Sequence, residues 1–266
     1  MVQTDHGNRP NCSATCFACR VSVVYAERRL RTCTKQREGD RSGEEHDRLH
    51  IDGAAGVAYG PVAVARTGTA KPSTERDRQM TNMRIFLIGV SCVGKTTIGK
   101  ELAALRGVPF FDLDHEVERF FNRPIARLQA EFLTMHSFRE KAAQALKALL
   151  TRDEARDCVI ALPPSGLMGA YWRTVQRATG EIVVLTDRPE NIVERITFYD
   201  DDSKPVEKVV SDREKRLYVR QIRGDMTYFK RSYEKADLSV DIAGLSPAEA
   251  AAAVDDALTR HCQTAA

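Results

Sequence analysis

The stretch IFLIGVSCVGKTTIGKEL, residues 85–102, constrains the fold more than any other part of the sequence. An apolar run typical of a buried strand ends at Gly89, and Gly94, Lys95 and Thr96 then open a helical pattern. These residues fit the pattern G-x-x-x-x-G-K-[ST], in which a strand precedes the loop and a helix follows it. The glycines let backbone N–H groups curl around a phosphate, at which the helix directs its positive end. The sequence therefore predicts a strand–loop–helix unit that holds phosphate groups.

Individual side chains of this loop have separate expected roles. Lys95 is expected to reach the outer phosphates and to act in catalysis, and the Thr96 hydroxyl is expected to hold Mg²⁺. Cys92 is expected to be a small filler residue and not a nucleophile. The loop residues predicted to contact the phosphates are Gly89, Ser91, Cys92, Val93, Gly94, Lys95, Thr96 and Thr97.

Composition excludes several classes of protein. The formal net charge of +3 gives no basic footprint for nucleic acid. No apolar run approaches the roughly 18 residues of a membrane span, and the N-terminus lacks the apolar segment of a secretory signal. Cys92, Cys158 and Cys262 are scattered as in a protein with reduced thiols. We therefore expect a cytoplasmic protein that binds neither nucleic acid nor membrane.

Residues 1–80 differ in character from the rest of the chain. Their mixed charges, glycine and small residues show no helical or strand periodicity, which is typical of a disordered leader. Ten acidic residues argue against a transit peptide, and a wrongly assigned start, with translation beginning at Met80 or Met83, is an alternative. The spacing of the cysteines at 12, 16 and 19 would suit an iron–sulfur cluster, but chance cysteines are the preferred interpretation.

From Met83 onward, strand and helix patterns alternate. Short apolar runs predict strands at 84–88, 158–162 and from residue 181, and helical patterns lie between them. This alternation is typical of a mostly parallel sheet covered on both faces by helices. We expect one α/β domain over residues 83–262.

A pair of acidic residues ends VPFFDLD, residues 108–114, which is a further short predicted strand. Asp112 and Asp114 in FFDLD are separated by one residue, so on an extended chain they would point the same way, at the edge where α/β folds bind ligands. One carboxylate would serve a metal and the other an acceptor hydroxyl. An N-cap for a helix beginning near His115 is the alternative role of Asp114. His115 itself is expected to be an ordinary helix residue.

The segment IFLIGVSCVGKTTIGKELAALRGVPFFDLDHEVERFFNRPIARL, with SFREKA after it, resembles the shikimate kinase family. The resemblance is strong over residues 83–141 and weaker beyond. It implies a three-layer P-loop kinase fold with a central parallel sheet, helices on both faces and a helical lid. It also implies ATP as co-substrate, Mg²⁺ as cofactor and a cyclic polyol acid as acceptor.

The resemblance gives roles to further residues. Asp112 would assist the magnesium, and Asp114 would bind the acceptor hydroxyl and act as base. Arg139 would clamp the acceptor carboxylate with its planar fork, and Arg195 would lie on the adenine side.

The second half departs from the family pattern. A glycine triplet is replaced by Pro163, Pro164 and Ser165, followed by Gly166, and two prolines remove N–H donors. Ser165 and Gly166 remain the expected substrate contacts there. The lid arginine of the family appears as Lys204, which is expected to be catalytic. Phe229 stands where the family has a late acceptor arginine, which Lys230 or Arg231 could replace after a shift of register.

The expected activity is ATP-dependent phosphoryl transfer to a small-molecule hydroxyl, with shikimate as the first candidate and shikimate 3-phosphate as its product. One alternative is a related kinase for a nucleotide, sugar acid or other polyol, suggested by the altered triplet. The other is a nucleotide-binding regulatory module without transfer, against which the retained Asp112, Asp114 and Arg139 argue. A monomer is expected.

Overall fold

The computed structural model of the chain describes residues 21–22 and 83–265. The cysteines at 12, 16 and 19 and most of the predicted leader, residues 1–80, lie outside the described residues. The disordered leader therefore stays a prediction. Its described part, Val21–Ser22, is a short strand.

Strands and helices alternate from Met83 onward, as the sequence predicts. The strands are β1 (Val21–Ser22), β2 (Arg84–Ile88), β3 (Phe110–Asp112), β4 (Cys158–Ala161), β5 (Glu181–Thr186), β6 (Phe198–Tyr199), β7 (Pro205–Val206) and β8 (Leu238–Asp241). The α-helices are α1 (Lys95–Arg106), α2 (Leu113–Phe121), α3 (Ile125–Ala130), α4 (Met135–Leu150), α5 (Gly169–Val175), α6 (Pro189–Val193), α7 (Asp212–Tyr233) and α8 (Pro247–Ala265).

Five strands form the central sheet in the order β3-β4-β2-β5-β8, and every neighbouring pair is parallel. The phosphate loop, residues 89–96 and called the P-loop below, follows β2, the middle strand. The acidic pair lies at the end of β3, at one edge of the sheet. Because all strands run the same way, both segments emerge at the carboxyl edge, where open α/β sheets bind ligands. The sequence prediction of a parallel α/β fold is confirmed.

Side chains of the middle strand alternate between two cores. Ile85 and Leu87 pack into the layer that contains α1 and α8, whereas Phe86 and Ile88 pack into the layer that contains α4 and α5. All four are at most 1% exposed. A strand buried on both faces reads as a continuous apolar run, and this is why RIFLI shows no alternation.

The region after α6 corresponds to the predicted lid, and it contains a hairpin. Strands β6 and β7 pair antiparallel as a hairpin, with β1 parallel on the other side of β6. A helix follows only from Asp212, where Ser211 and Glu214 form a capping box. The lid thus combines a hairpin with the start of α7. Among the described helices, none has the length and apolar character that crossing a bilayer requires.

Candidate active site

A cleft of about 490 Å³ opens at the carboxyl edge of the sheet, between the P-loop, the start of α2, the loop after β4 and the lid hairpin. It is lined by Ser91, Cys92, Gly94, Lys95, Thr96, Thr97, Lys100, Asp112, Asp114, His115, Ala161, Leu162, Pro163, Pro164, Arg195, Thr197 and Tyr199. The phosphate loop and the acidic pair, which were predicted separately, therefore face one cavity.

The P-loop backbone adopts conformations that depend on glycine. Gly89 has φ +154°, and a Cβ there would lie 2.6 Å from the Leu185 carbonyl oxygen. Gly94 is the N-cap of α1, with φ +112°. Because a glycine cap has no side chain, the first-turn N–H groups of α1 are left to an anion. Val93, predicted as a phosphate contact, is fully buried in the core and contributes at most its backbone.

Lys95, the first residue of α1, folds back over the loop. Its Nζ donates to the carbonyl oxygens of Gly89 and Val90, both at 2.9 Å. These two bonds hold the ammonium group above the loop that the helix N-terminus also faces. A concentration of positive charge at this point suits the outer phosphates of a nucleotide.

Thr96 and Asp112 meet across the cleft floor. The Thr96 hydroxyl donates to Asp112 Oδ2 at 2.6 Å. No cluster of three or more His, Cys, Asp and Glu residues among the described residues makes a metal site by itself. Magnesium normally relies on one or two protein oxygens together with substrate phosphates and water. The hydroxyl–carboxylate pair of Thr96 and Asp112 fits that requirement, and their magnesium role stays a prediction.

Asp112 and Asp114 are not arranged on one extended strand. Strand β3 ends at Asp112, which caps α2 by accepting the Asp114 N–H at Oδ1, 3.0 Å away. The cap is thus Asp112, not Asp114, and the helix begins at Leu113. Asp114 lies in the first turn, where the helix dipole favours a carboxylate. Both acids still line the cleft, along with His115.

Cys92 occupies a left-handed position in the P-loop, with φ +61°. Burial raises the pKa of its thiol, and the neighbouring charges of Lys95 and Arg195 lower it only in part. The thiol is therefore protonated at neutral pH and weakly nucleophilic, as the filler interpretation requires.

The loop after β4 presents prolines to the cleft. Pro163 and Pro164 both line the cavity, while Ser165 is buried and outside the lining. A tight turn, in which the Gly166 N–H donates to the Pro163 carbonyl at 2.7 Å, positions this segment. Gly166 also lies outside the lining. The structure brings the prolines, and not Ser165 or Gly166, to the cavity wall.

Arg139 lies in α4 and is 9% exposed. Its Nε has no hydrogen-bond partner in the described part of the chain. A Cβ on Gly169 would come within 3.8 Å of that nitrogen, so the guanidinium lies near the start of α5. Arg139 is outside the lining of the cleft. A buried, unused N–H is costly in the absence of a partner, and an anionic ligand group would satisfy it.

Arg195 follows α6 and lines the cleft. Its guanidinium donates to Asp187, whose side chain is fully buried. Burial alone would raise the pKa of Asp187, but hydrogen bonds from Asn191 and Arg195 outweigh it and hold the pKa below its usual range.

The lid hairpin contacts helices α2 and α3. Asp202 pairs with Arg127 at 2.5 Å, and the Ser203 hydroxyl donates to Glu118. Tyr199 and Thr197 line the cleft. Lys204, predicted as catalytic, is exposed and lies outside the lining. Its position next to the hairpin turn leaves any catalytic role to a movement of the lid.

The late arginine of the family has no counterpart here. Phe229 is 0% exposed and stacks on Tyr233 with ring centroids 5.6 Å apart. Lys230 and Arg231 are exposed and outside the lining, and Lys230 borders a separate cavity of about 340 Å³. Neither replaces the missing cation in this structure.

Sequence reasoning missed four lining residues with polar side chains, Lys100, His115, Thr197 and Tyr199, and it also missed Ala161 and Leu162. Lys100 lies one helical turn after Thr96, so helical spacing could have suggested it. His115 directly follows Asp114, and since adjacent residues of a helix do not share a face, spacing gave no signal for it. Thr197 and Tyr199 lie around the start of the hairpin, whose two-residue strands the sequence does not predict.

Comparisons with known proteins agree with this geometry. The family model for shikimate kinase matches residues 91–258. A shikimate kinase from Moorella thermoacetica is 32% identical over 178 residues, covering 65% of this chain and 93% of the relative. One from Parabacteroides distasonis is 27% identical over 160 residues, covering 59% and 87%. The structure of the Acinetobacter baumannii shikimate kinase in complex with shikimate superposes with a TM-score of 0.56 at 22% identity, covering 70% of this chain and 97% of that one.

Proposed function

Because this chain belongs to the shikimate kinase family, we propose that it transfers the γ-phosphoryl group of ATP to a hydroxyl of shikimate, giving shikimate 3-phosphate. The observation that carries the proposal is the cleft itself. A phosphate-binding loop with its lysine, a hydroxyl–carboxylate pair at 2.6 Å and a second carboxylate, Asp114, all face one cavity.

The donor side binds the nucleotide through charge and backbone. Lys95 exchanges its bonds to the loop carbonyls for the outer phosphate oxygens, and the N-terminus of α1 donates N–H groups. Thr96 and Asp112 hold Mg²⁺ in this proposal. When bound, the ion supplies neutralisation of the charge on the β- and γ-phosphates.

The acceptor side orients the alcohol. Asp114 accepts the proton of the attacking hydroxyl while the oxygen of that hydroxyl bonds to the γ-phosphorus. At the same time the bond between the γ-phosphorus and the β–γ bridging oxygen breaks, and ADP leaves. Arg139 binds the acceptor carboxylate through the buried N–H that has no protein partner. Pro163 and Pro164, which line the cavity, form the wall that faces the acceptor ring.

The lid completes the site. We propose that Lys204 swings toward the phosphates when ATP is bound. The hairpin that carries Lys204 contacts helix α3 through the ion pair of Asp202 with Arg127. Arg195, which lines the cleft, borders the nucleotide in this proposal. A cytoplasmic location and a monomeric state complete the proposal, together with ATP and a small polyol acid as the partners.

One observation favours a second acceptor class. Pro163 and Pro164 line the cavity and have no N–H to offer, so another polyol or sugar acid that needs fewer donors there is the alternative. This rival keeps the donor side and the reaction unchanged.

A coupled ATP-consumption assay with the full chain and Mg²⁺ tests the proposal. We expect ADP to form quickly only when shikimate is added and to stop when EDTA removes the metal. ATP binding without any transfer, over a panel of polyol acids, would instead indicate a regulatory module.

A further inference from the structure

A buried carboxylate stands behind the nucleotide side of the cleft. Asp187 directly follows β5 and is 4% exposed. Its Oδ1 accepts from the Arg188 N–H and from Asn191 Nδ2, both at 2.7 Å, and its Oδ2 accepts from Arg195 Nη2. All three donors belong to the next eight residues of the chain.

Such a group is costly to bury unless it is paired and hydrogen-bonded. Asp187 meets both conditions, because two neutral donors occupy one oxygen and a guanidinium occupies the other. The side chain of Arg195 is 38% exposed, whereas that of Asp187 is 0% exposed. The pair therefore has one end anchored in the interior and the other at the cleft wall.

We propose that Asp187 is a positioning residue for the nucleotide, acting only through Arg195. A free arginine side chain has many rotamers, and ordering it on binding costs affinity. Asp187 removes that cost by fixing the guanidinium before ATP arrives. This inference rests on the proposed function, since it assumes that ATP occupies the cleft that Arg195 lines.

The rival role is structural. Helix α6 has only five residues, and Asp187 could serve only to hold its first turn through Arg188 and Asn191. The two roles differ in one respect. Loss of a structural role lowers ATP affinity whether or not Arg195 is present. Loss of a positioning role lowers ATP affinity only when Arg195 is present.

The test is a double-mutant cycle on ATP affinity, measured by titration calorimetry on the full chain. Asp187→Asn keeps the Oδ1 acceptor and removes the charge that faces Arg195. We expect it to raise the Kd for ATP about tenfold, with kcat and the KM for shikimate within about twofold of the original. In an Arg195→Gln background the same change should have almost no further effect.

Equal losses of ATP affinity in both backgrounds would overturn the positioning role. Glu190→Gln is the matched control, because it breaks an exposed pair of the same helix with Arg223 and should leave the Kd unchanged. If Asp187→Asn does not fold, Asp187→Glu keeps the charge but displaces it, and it should give the same Arg195-dependent loss. If the unmodified chain binds no ATP, the proposed function itself fails, and this outcome is distinguishable from an additive cycle.

Discussion

The donor and acceptor sides of the cleft are built in different ways. The phosphate-binding part of the donor side is one continuous segment, the loop from Gly89 to Thr97, which includes internal contacts such as the two bonds from Lys95 to loop carbonyls. The acceptor side gathers Asp114 and the Pro163–Pro164 wall from separate parts of the chain, and the proposed function adds Arg139, which lies outside the lining. Local sequence therefore determines the first, whereas tertiary packing determines the second.

The difference indicates which of the two sides can tolerate changes in sequence. A loop that binds phosphate through its backbone needs its glycines and its lysine at fixed spacing. An acceptor wall assembled from several elements can change one of them, as this chain does with Pro163 and Pro164, and keep the others. Variants of the two sides should therefore fail in different ways.

The largest expected effect is on the donor side. Lys95→Ala should lower kcat by at least about 10³-fold, because it removes the cation that the loop holds beside the outer phosphates. Steady-state kinetics with ATP and shikimate measure this. Lys100→Ala is the matched control, because Lys100 lines the same cleft further along α1. Near-normal turnover of Lys95→Ala would mean that the loop is not the donor site.

Next comes Asp114→Asn, which separates the two carboxylates. Asparagine keeps the shape but cannot take up a proton, so kcat should fall about 10²–10⁴-fold while the Kd for ATP hardly changes. Asp112→Asn should instead weaken Mg²⁺-dependent ATP binding, because Asp112 bonds to the Thr96 hydroxyl. The assigned roles are wrong if Asp114→Asn loses ATP binding but turns over normally at saturating nucleotide.

A smaller effect is expected at Arg139. Arg139→Lys keeps the charge but loses the planar fork, so the KM for shikimate should rise about 10–100-fold with ATP affinity preserved. Arg173→Lys provides the comparison, because Arg173 is exposed and pairs with Glu140 on the same helix as Arg139. An unchanged KM in Arg139→Lys would mean that the acceptor carboxylate binds elsewhere.

The smallest effect is expected from deleting residues 1–80. The two cores of the sheet are built from residues after Met83, and the deletion removes from the described structure only the β1 pairing with β6. The melting temperature should stay within about 4 °C, the shift that roughly 1 kcal/mol produces in a domain of this size. A larger loss, or weakened ATP binding, would give the segment a role in the lid.

The sequence predicts the phosphate loop between a strand and a helix, because spacing within ten residues determines it. It also predicts the parallel sheet, since each strand is a short apolar run between helical patterns. It does not predict that Asp112 caps α2 and moves Asp114 into the helix, because an N-cap and a strand end look alike in FFDLD. The lid hairpin is missed because β6 and β7 have two residues each, too few for alternation to show.

The acceptor is the point on which the account depends most. The most direct measurement is a competition in one reaction, with ATP, Mg²⁺, shikimate and gluconate at equal concentrations, followed by ³¹P NMR and mass spectrometry of the products. We expect the phosphoryl group on shikimate, with ADP formed in equal amount. A phosphorylated gluconate as the main product, or ADP release with neither acceptor modified, would contradict the assignment of shikimate to this cleft.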